Sequence, residues 1–189
     1  MVAWRGNLSF RVYNPNKPDK FGIKVFELCD SSTAYCCNLE FYTGRTVASS
    51  HGATFVGVVN RLISPYLRCD RTLYVDNYNT SPNLFSHLEE NSTLACGTMR
   101  QNRKNGPHKN MAPKLKKGDK TVNILTDGNL NYIHFMDWKE VRVLTTAHGA
   151  NSIYTGKTNL VTKEPIVKFE AVHQYNQFMG AVDRSDQIV

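Results

Sequence analysis

Two short apolar runs in this chain each stop at an aspartate, and a third aspartate lies far away in a helix-like stretch. Asp30 follows Leu28-Cys29, Asp76 follows Leu73-Tyr74-Val75, and Asp183 sits in Gly180-Ala181-Val182-Asp183-Arg184-Ser185-Asp186-Gln187. Runs rich in β-branched and aromatic residues and bounded by turn residues read as buried strands. Carboxylates delivered from two strand ends and a helix can hold two hard divalent cations, the arrangement used in phosphodiester chemistry. Each aspartate taken alone also has a plainer explanation. Asp is common where a strand enters a turn, because it hydrogen-bonds its own backbone. Asp183 can equally pair with a neighbouring Arg or Lys.

The pattern between these positions narrows the fold. A short strand over Leu8–Tyr13 precedes Pro15 and Pro18, which forbid regular pairing. Ile23–Cys29 suits a central strand, Asp30–Thr33 a turn and Tyr35–Tyr42 the returning strand, so 23–42 is expected to be a hairpin. Phe55, Val58, Val59, Leu62 and Ile63 recur at helical spacing, and Pro65 stops that helix. Leu73–Val75 is a further strand. Asn79-Thr80-Ser81-Pro82 then opens a helix, with a capping hydroxyl and an early proline, that runs to Asn91. Thr93–Met99 is again a strand. Residues 102–120, broken by Gly106, Pro107, Pro113 and Gly118, read as a loop or insertion. Strand character returns at Val122–Leu125, Tyr132–Phe135 and Val141–Leu144.

The last element is expected to be one helix over Phe169–Ile188. At 100° per residue Asp183 falls about 20° from Val172 and about 40° from Met179, on the apolar stripe. A carboxylate on a buried stripe is costly unless paired or metal-bound. Asp186 lies about 60° further round.

Composition sets limits. The 189 residues suit one domain, or one domain carrying an insertion. No apolar run approaches the roughly 20 residues of a membrane span, and Met1–Asn7 has no apolar core of a secretory signal, so an intracellular protein is expected. The cysteines at 29, 36, 37, 69 and 96 offer no CxxC pair and no zinc-ribbon spacing. They read as small, reduced apolar residues without a metal or disulfide role. Arg100, Arg103, Lys104, Lys109, Lys114, Lys116, Lys117 and Lys120 face a single acid, Asp119, so this segment carries the whole net charge of +7. It suits a phosphate backbone, and it equally suits a solvated loop.

Strands, helix, strand with acid, helix, strand, and helix with acid is the ribonuclease H-like order. Several stretches are more specific: Arg5-Gly6-Asn7-Leu8-Ser9-Phe10, Pro15–Lys24, Leu28-Cys29-Asp30-Ser31, Tyr42-Thr43-Gly44, Leu73–Tyr78, Thr80-Ser81-Pro82, Cys96–Arg100, Tyr175-Asn176 and Met179–Gln187. In this order and over nearly the whole chain they resemble the catalytic region of piggyBac transposases and their transposable-element-derived relatives. That resemblance implies an α/β, ribonuclease H-like fold with a mixed central sheet flanked by helices. Residues 1–100 would form the first part of a DDD catalytic domain, 101–165 a basic, β-rich insertion, and 166–189 the helix completing the site. The metal ligands carried over are Asp30, Asp76 and Asp183, with Asp186 as a further catalytic acid. Two Mg²⁺ ions, with Mn²⁺ as substitute, are the implied cofactors.

The implied partner is double-stranded DNA, with contacts expected at Arg100, Arg103, Lys104, Lys114, Lys116 and Lys117. The implied activity is strand cleavage and transfer through 3′-hydroxyl attack and a hairpin intermediate at TTAA targets, by a nuclear protein that dimerises on DNA. Relative to the family the chain reads as shortened at both ends, with Ala181 in place of a second glycine and Asn79 in place of a common Tyr. An inactive, domesticated or decayed DNA-binding derivative is the alternative.

Overall fold

The computed structural model describes residues 1–44, 55–106, 120–126, 129–136, 139–160 and 162–188. It is a mixed α/β structure that divides into two units, Met1–Pro65 with Gly180–Val189, and Tyr66–Met179. Among the described residues no helix is long and apolar enough to cross a membrane.

In the first unit β1 (Val2–Ala3), β2 (Val12–Tyr13) and β3 (Phe21–Ile23) form an antiparallel sheet with β3 in the centre. β4 (Val25–Cys29) and β5 (Cys36–Phe41) form the expected hairpin. The run read as one strand over Ile23–Cys29 is divided at Lys24. Residues before it pair with β1 and β2, and those after it pair with β5. The Lys24 carbonyl accepts the Tyr42 N–H at 2.9 Å, which closes the hairpin's open end. Of Leu8–Tyr13 only the last two residues are strand, because Arg11 N–H turns back to the Leu8 carbonyl.

Helix α1 (Phe55–Ile63) packs on β4 and β5 and buries Val58, Leu62 and Ile63, followed by one 3₁₀ turn at Ser64–Tyr66. Two polar ties fix its register on β5. Arg61 grips Glu40 through Nε and Nη2, at 2.8 and 2.6 Å, and Asn38 donates to the Leu62 carbonyl at 3.0 Å.

In the second unit β6 (Thr72–Val75) runs parallel to β7 (Leu94–Thr98), joined through α2 (Pro82–Glu90). The helix starts as its sequence demands. Ser81 accepts the Leu84 N–H at 3.3 Å, and Pro82 occupies the first turn, where no amide partner is needed. β8 (Lys120–Thr126), β9 (Leu130–Met136) and β10 (Glu140–Thr145) extend the sheet in the order β6-β7-β10-β9-β8. The three strands expected over 121–147 are therefore continuous with the strand that ends at Asp76.

Leu84, Phe85 and Leu88 of α2 are fully buried, and α2 packs on β7 and β9. A second cluster joins Cys96, Ile133, Phe135 and Val143 to Phe169, Ala171, Val172 and Tyr175. Sequence reading assigned no element to residues 148–168, yet β11 (Ser152–Thr158) and β12 (Pro165–Phe169) form a hairpin leading into α3 (Glu170–Phe178).

The single helix expected over Phe169–Ile188 is corrected. Phe169 ends a strand, α3 stops at Phe178, and α4 (Ala181–Ile188) starts afresh after Met179-Gly180. Glycine in a helix interior costs about 1 kcal/mol relative to alanine, and here the Gly180 carbonyl accepts the Arg184 N–H as the cap of α4. An angular projection carried from Val172 through this break has no meaning, and Asp183 is exposed rather than on a buried stripe.

Candidate active site

Asp30 closes β4 and opens a tight turn. Its Oδ1 accepts the N–H and hydroxyl of Ser32 and the N–H and hydroxyl of Thr33, at 2.8 Å for the Thr33 amide. Its own N–H donates to the Tyr35 carbonyl, and its carbonyl accepts the Ala34 N–H, both at 2.9 Å. The donors from Ser32 and Thr33 hold the carboxyl well below the usual carboxylate range, so Asp30 is an anion at neutral pH. Among the described residues no hydrogen bond reaches Oδ2.

Asp76 repeats this construction at the end of β6. Its Oδ1 accepts the N–H of Tyr78 at 3.2 Å, the N–H of Asn79 at 3.1 Å and the Asn79 side-chain amide at 3.0 Å. Its carbonyl accepts the Thr80 N–H at 3.1 Å and the buried Thr80 hydroxyl at 2.8 Å. Again Oδ2 has no hydrogen bond among the described residues. Free carboxylate oxygens are the hard donors that Mg²⁺ and Mn²⁺ prefer, so both residues fit that role.

The backbone around Asp76 tolerates no bulk. Gly97 faces Val75 across the parallel pair, and a Cβ there would lie 2.3 Å from Thr80 Oγ1 and 2.6 Å from the Val75 carbonyl oxygen. Only glycine lets β7 approach β6 while Thr80 holds the turn. Tyr175 of α3 brings its hydroxyl to 3.2 Å from Thr98 Oγ1. Burial pushes its pKa up, the Thr98 hydrogen bond opposes this, and the Asp76 charge adds to the rise.

Arg100 and Arg103, expected to meet DNA, also brace the Asp76 turn. Arg100 Nε donates to Asn77 Oδ1 at 3.1 Å, with its guanidinium over the Tyr78 ring. Arg103 Nη2 donates to the carbonyls of Asn77 and Tyr78. Lys104 is exposed. Lys114, Lys116 and Lys117 lie outside the described residues.

Asp183 stands in the first turn of α4, where a carboxylate complements the helix dipole. Helix α4 packs on β4, and Arg184 Nη2 donates to the Ser31 carbonyl at 2.5 Å. The helix bearing Asp183 is thus tied to the turn bearing Asp30, within one unit. Asp186 is engaged by Lys17 Nζ at 4.0 Å. Asp76 belongs to the other unit.

Sequence reading missed the residues that hold these turns. Ser32, Thr33, Thr80 and Arg184 work through hydrogen bonds that spacing alone does not reveal. Cys29 and Cys36, expected with the other cysteines to be small reduced apolar residues, are cross-strand partners in the β4–β5 register.

A family model described as Transposase IS4 matches residues 1–189, the whole chain. The human PiggyBac transposable element-derived protein 3 is 25% identical over 200 residues, covering 99% of this chain and 33% of that protein. The human Chimeric ERCC6-PGBD3 protein is also 25% identical over 200 residues, with 99% of this chain and 18% of the relative covered. A cryo-EM structure of a piggyBac transposase synaptic complex with hairpin DNA superposes with a TM-score of 0.78 at 30% identity, over 98% of this chain and 37% of that one. The chain thus spans about a third of the length of PiggyBac transposable element-derived protein 3. By its match to the Transposase IS4 model and its likeness to these relatives, the chain belongs to the piggyBac transposase family.

Proposed function

We propose that this chain is the catalytic portion of a DDD transposase with a ribonuclease H-like fold, acting on double-stranded DNA by metal-dependent strand cleavage and transfer. The observation that supports it most is the shared construction of Asp30 and Asp76. In each, one carboxylate oxygen is consumed by the following turn and the other is left without a hydrogen bond among the described residues. The second oxygen of each is a hard donor that the turn leaves available to a cation.

Asp30, Asp76 and Asp183 would hold two divalent cations, with Mg²⁺ as the natural choice and Mn²⁺ as substitute. Such ions, when bound, lower the pKa of an attacking water or 3′-hydroxyl and stabilise the leaving oxygen. The chain's own contribution is positioning. Ser32 and Thr33 keep Asp30 ionised, Thr80 and Asn79 fix the Asp76 backbone, and Arg184 ties α4 to Ser31. Asp186 assists as a further acid of the α4 motif. Arg100, Arg103 and Lys104, with Lys114, Lys116 and Lys117, supply positive charge for phosphates. Such contacts position DNA without reading its sequence.

The reading extends to hairpin intermediates, TTAA targets, a homodimer on DNA and a nuclear location. It is tested by incubating supercoiled plasmid with the chain and Mg²⁺ or Mn²⁺. Metal-dependent nicking that Asp76→Asn abolishes is the expected result. Nicking that survives in that variant overturns the assignment. Plasmid binding without nicking would leave the inactive, domesticated DNA-binding derivative as the account.

A further inference from the structure

Outside the aspartates, the β4–β5 hairpin gathers three metal-ligating side chains that the transposase reading does not use. Glu27 and Cys29 are two residues apart on β4 and so project from the same face. Cys36 is the cross-strand partner of Cys29, with Cys37 as the extra residue of a bulge, since Leu28 already pairs with Asn38. The result is a half-buried group in which one donor atom from each of Glu27, Cys29 and Cys36 lies within 4.8 Å of the other two. Cys29 Sγ is 3.9 Å from Glu27 Oε2. Both cysteines are free thiols.

We propose that Glu27, Cys29 and Cys36 form a binding site for a thiophilic divalent cation, Zn²⁺ by preference. Two thiolates and a carboxylate supply three ligands of a tetrahedral site and leave the fourth position to water. Soft sulfur donors select against Mg²⁺, so this site and the hard-oxygen donors at Asp30 and Asp76 take different metals. Binding releases the two thiol protons to solvent and forms two Zn–S bonds, with no change of oxidation state. An ion here would hold as thiolates two sulfurs that are otherwise neutral thiols, and would join them to the Glu27 carboxylate. It also pins Cys29 to Cys36, the residues that flank the Asp30 turn. Burial raises the Cys29 thiol pKa and the Ser185 hydroxyl of α4 opposes that rise; donating to the sulfur, it would orient that ligand.

The test is Co²⁺ and Zn²⁺ titration of the reduced chain, reading the near-ultraviolet sulfur-to-cobalt charge-transfer band and competing it with Zn²⁺. Circular dichroism reports whether each variant folds. The wild-type chain is expected to show the band at one Co²⁺ per chain, with displacement by Zn²⁺ but not by excess Mg²⁺. Cys36→Ser is expected to weaken Zn²⁺ binding by about 100-fold or more, and Ser185→Ala by about tenfold. Glu27→Gln, which keeps shape and loses charge, is expected to weaken it while the band persists. Cys69→Ser, at an exposed cysteine outside the hairpin, is expected to leave it unchanged. Absence of the band in a folded, reduced wild-type chain overturns the proposal, as does an undiminished band in folded Cys36→Ser. A Cys29–Cys36 disulfide that persists under reductant overturns it as well.

Discussion

Asp30 and Asp76 end their strands in the same way, each turning Oδ1 onto backbone N–H groups two and three residues ahead. The turns differ in sequence, Ser31-Ser32-Thr33 against Asn77-Tyr78-Asn79, so the shared element is the aspartate itself. This makes the carboxylate's shape separable from its charge. Asp76→Asn keeps an acceptor at Oδ1 and is expected to change stability by less than about 0.5 kcal/mol. Asp76→Ala strips three hydrogen bonds from the turn and is expected to cost about 1–2 kcal/mol. Urea denaturation of the two variants measures the difference, and equal losses would show that the charge, not the turn, stabilises this corner.

Gly97 sets how closely β7 approaches the strand ending at Asp76. Gly97→Ala is expected to cost about 2–3 kcal/mol by overpacking, because two of the atoms its Cβ would meet are the Val75 carbonyl oxygen and the hydrogen-bonded Thr80 hydroxyl. Gly149→Ala is the control. Its nearest neighbour would lie at 3.5 Å, and its cost is expected within about 0.5 kcal/mol. Chemical denaturation that ranks the two equally would contradict the packing account.

Thiol reactivity follows burial. Cys96 is fully buried, its Sγ donates to the Ala171 carbonyl, and burial pushes its pKa up to about 12. Cys69 is exposed. Alkylation of the native protein followed by peptide mass spectrometry is expected to label Cys69 first and Cys96 only on unfolding. Comparable native rates at the two sites would show that the second unit's core is open.

The acid side tests the Asp30 turn. Its carboxyl is depressed in the folded chain and titrates near pH 4 when unfolded, so its stabilising contribution is complete above about pH 4. That contribution is lost as pH falls through the folded value. Replacing Ser32 and Thr33 together by Ala removes the two hydroxyl donors. The stability gap between wild type and this variant is expected to be present at neutral pH and to shrink steadily below about pH 4. A gap independent of pH would mean that the hydroxyls act on something other than the charge of Asp30.

Much of the framework is legible in the sequence because it rests on local signals. The β4–β5 hairpin follows from apolar runs around Asp30-Ser31-Ser32-Thr33, and α2 follows from Ser81-Pro82 and its buried Leu84, Phe85 and Leu88. What was not legible depends on partners distant in sequence. Lys24 divides one apolar run between two sheets, a choice made by the strands that pair on either side. Gly180 interrupts a helix-compatible pattern, and periodicity carried across it placed Asp183 on the wrong face. β11 and β12 have half-buried alternation too weak to stand out until they pair with each other. The aspartates were singled out by their settings, but the Cys29–Cys36 meeting needed the register of the hairpin.

Calorimetric titration of Mn²⁺ tests the proposal that Asp30, Asp76 and Asp183 hold hard divalent cations. The folded wild-type chain is expected to bind Mn²⁺, Cys36→Ser to bind it equally, and Asp30→Asn/Asp76→Asn to lose it. No heat of binding from a cooperatively folded wild-type chain, or undiminished binding by the double variant, would contradict the account.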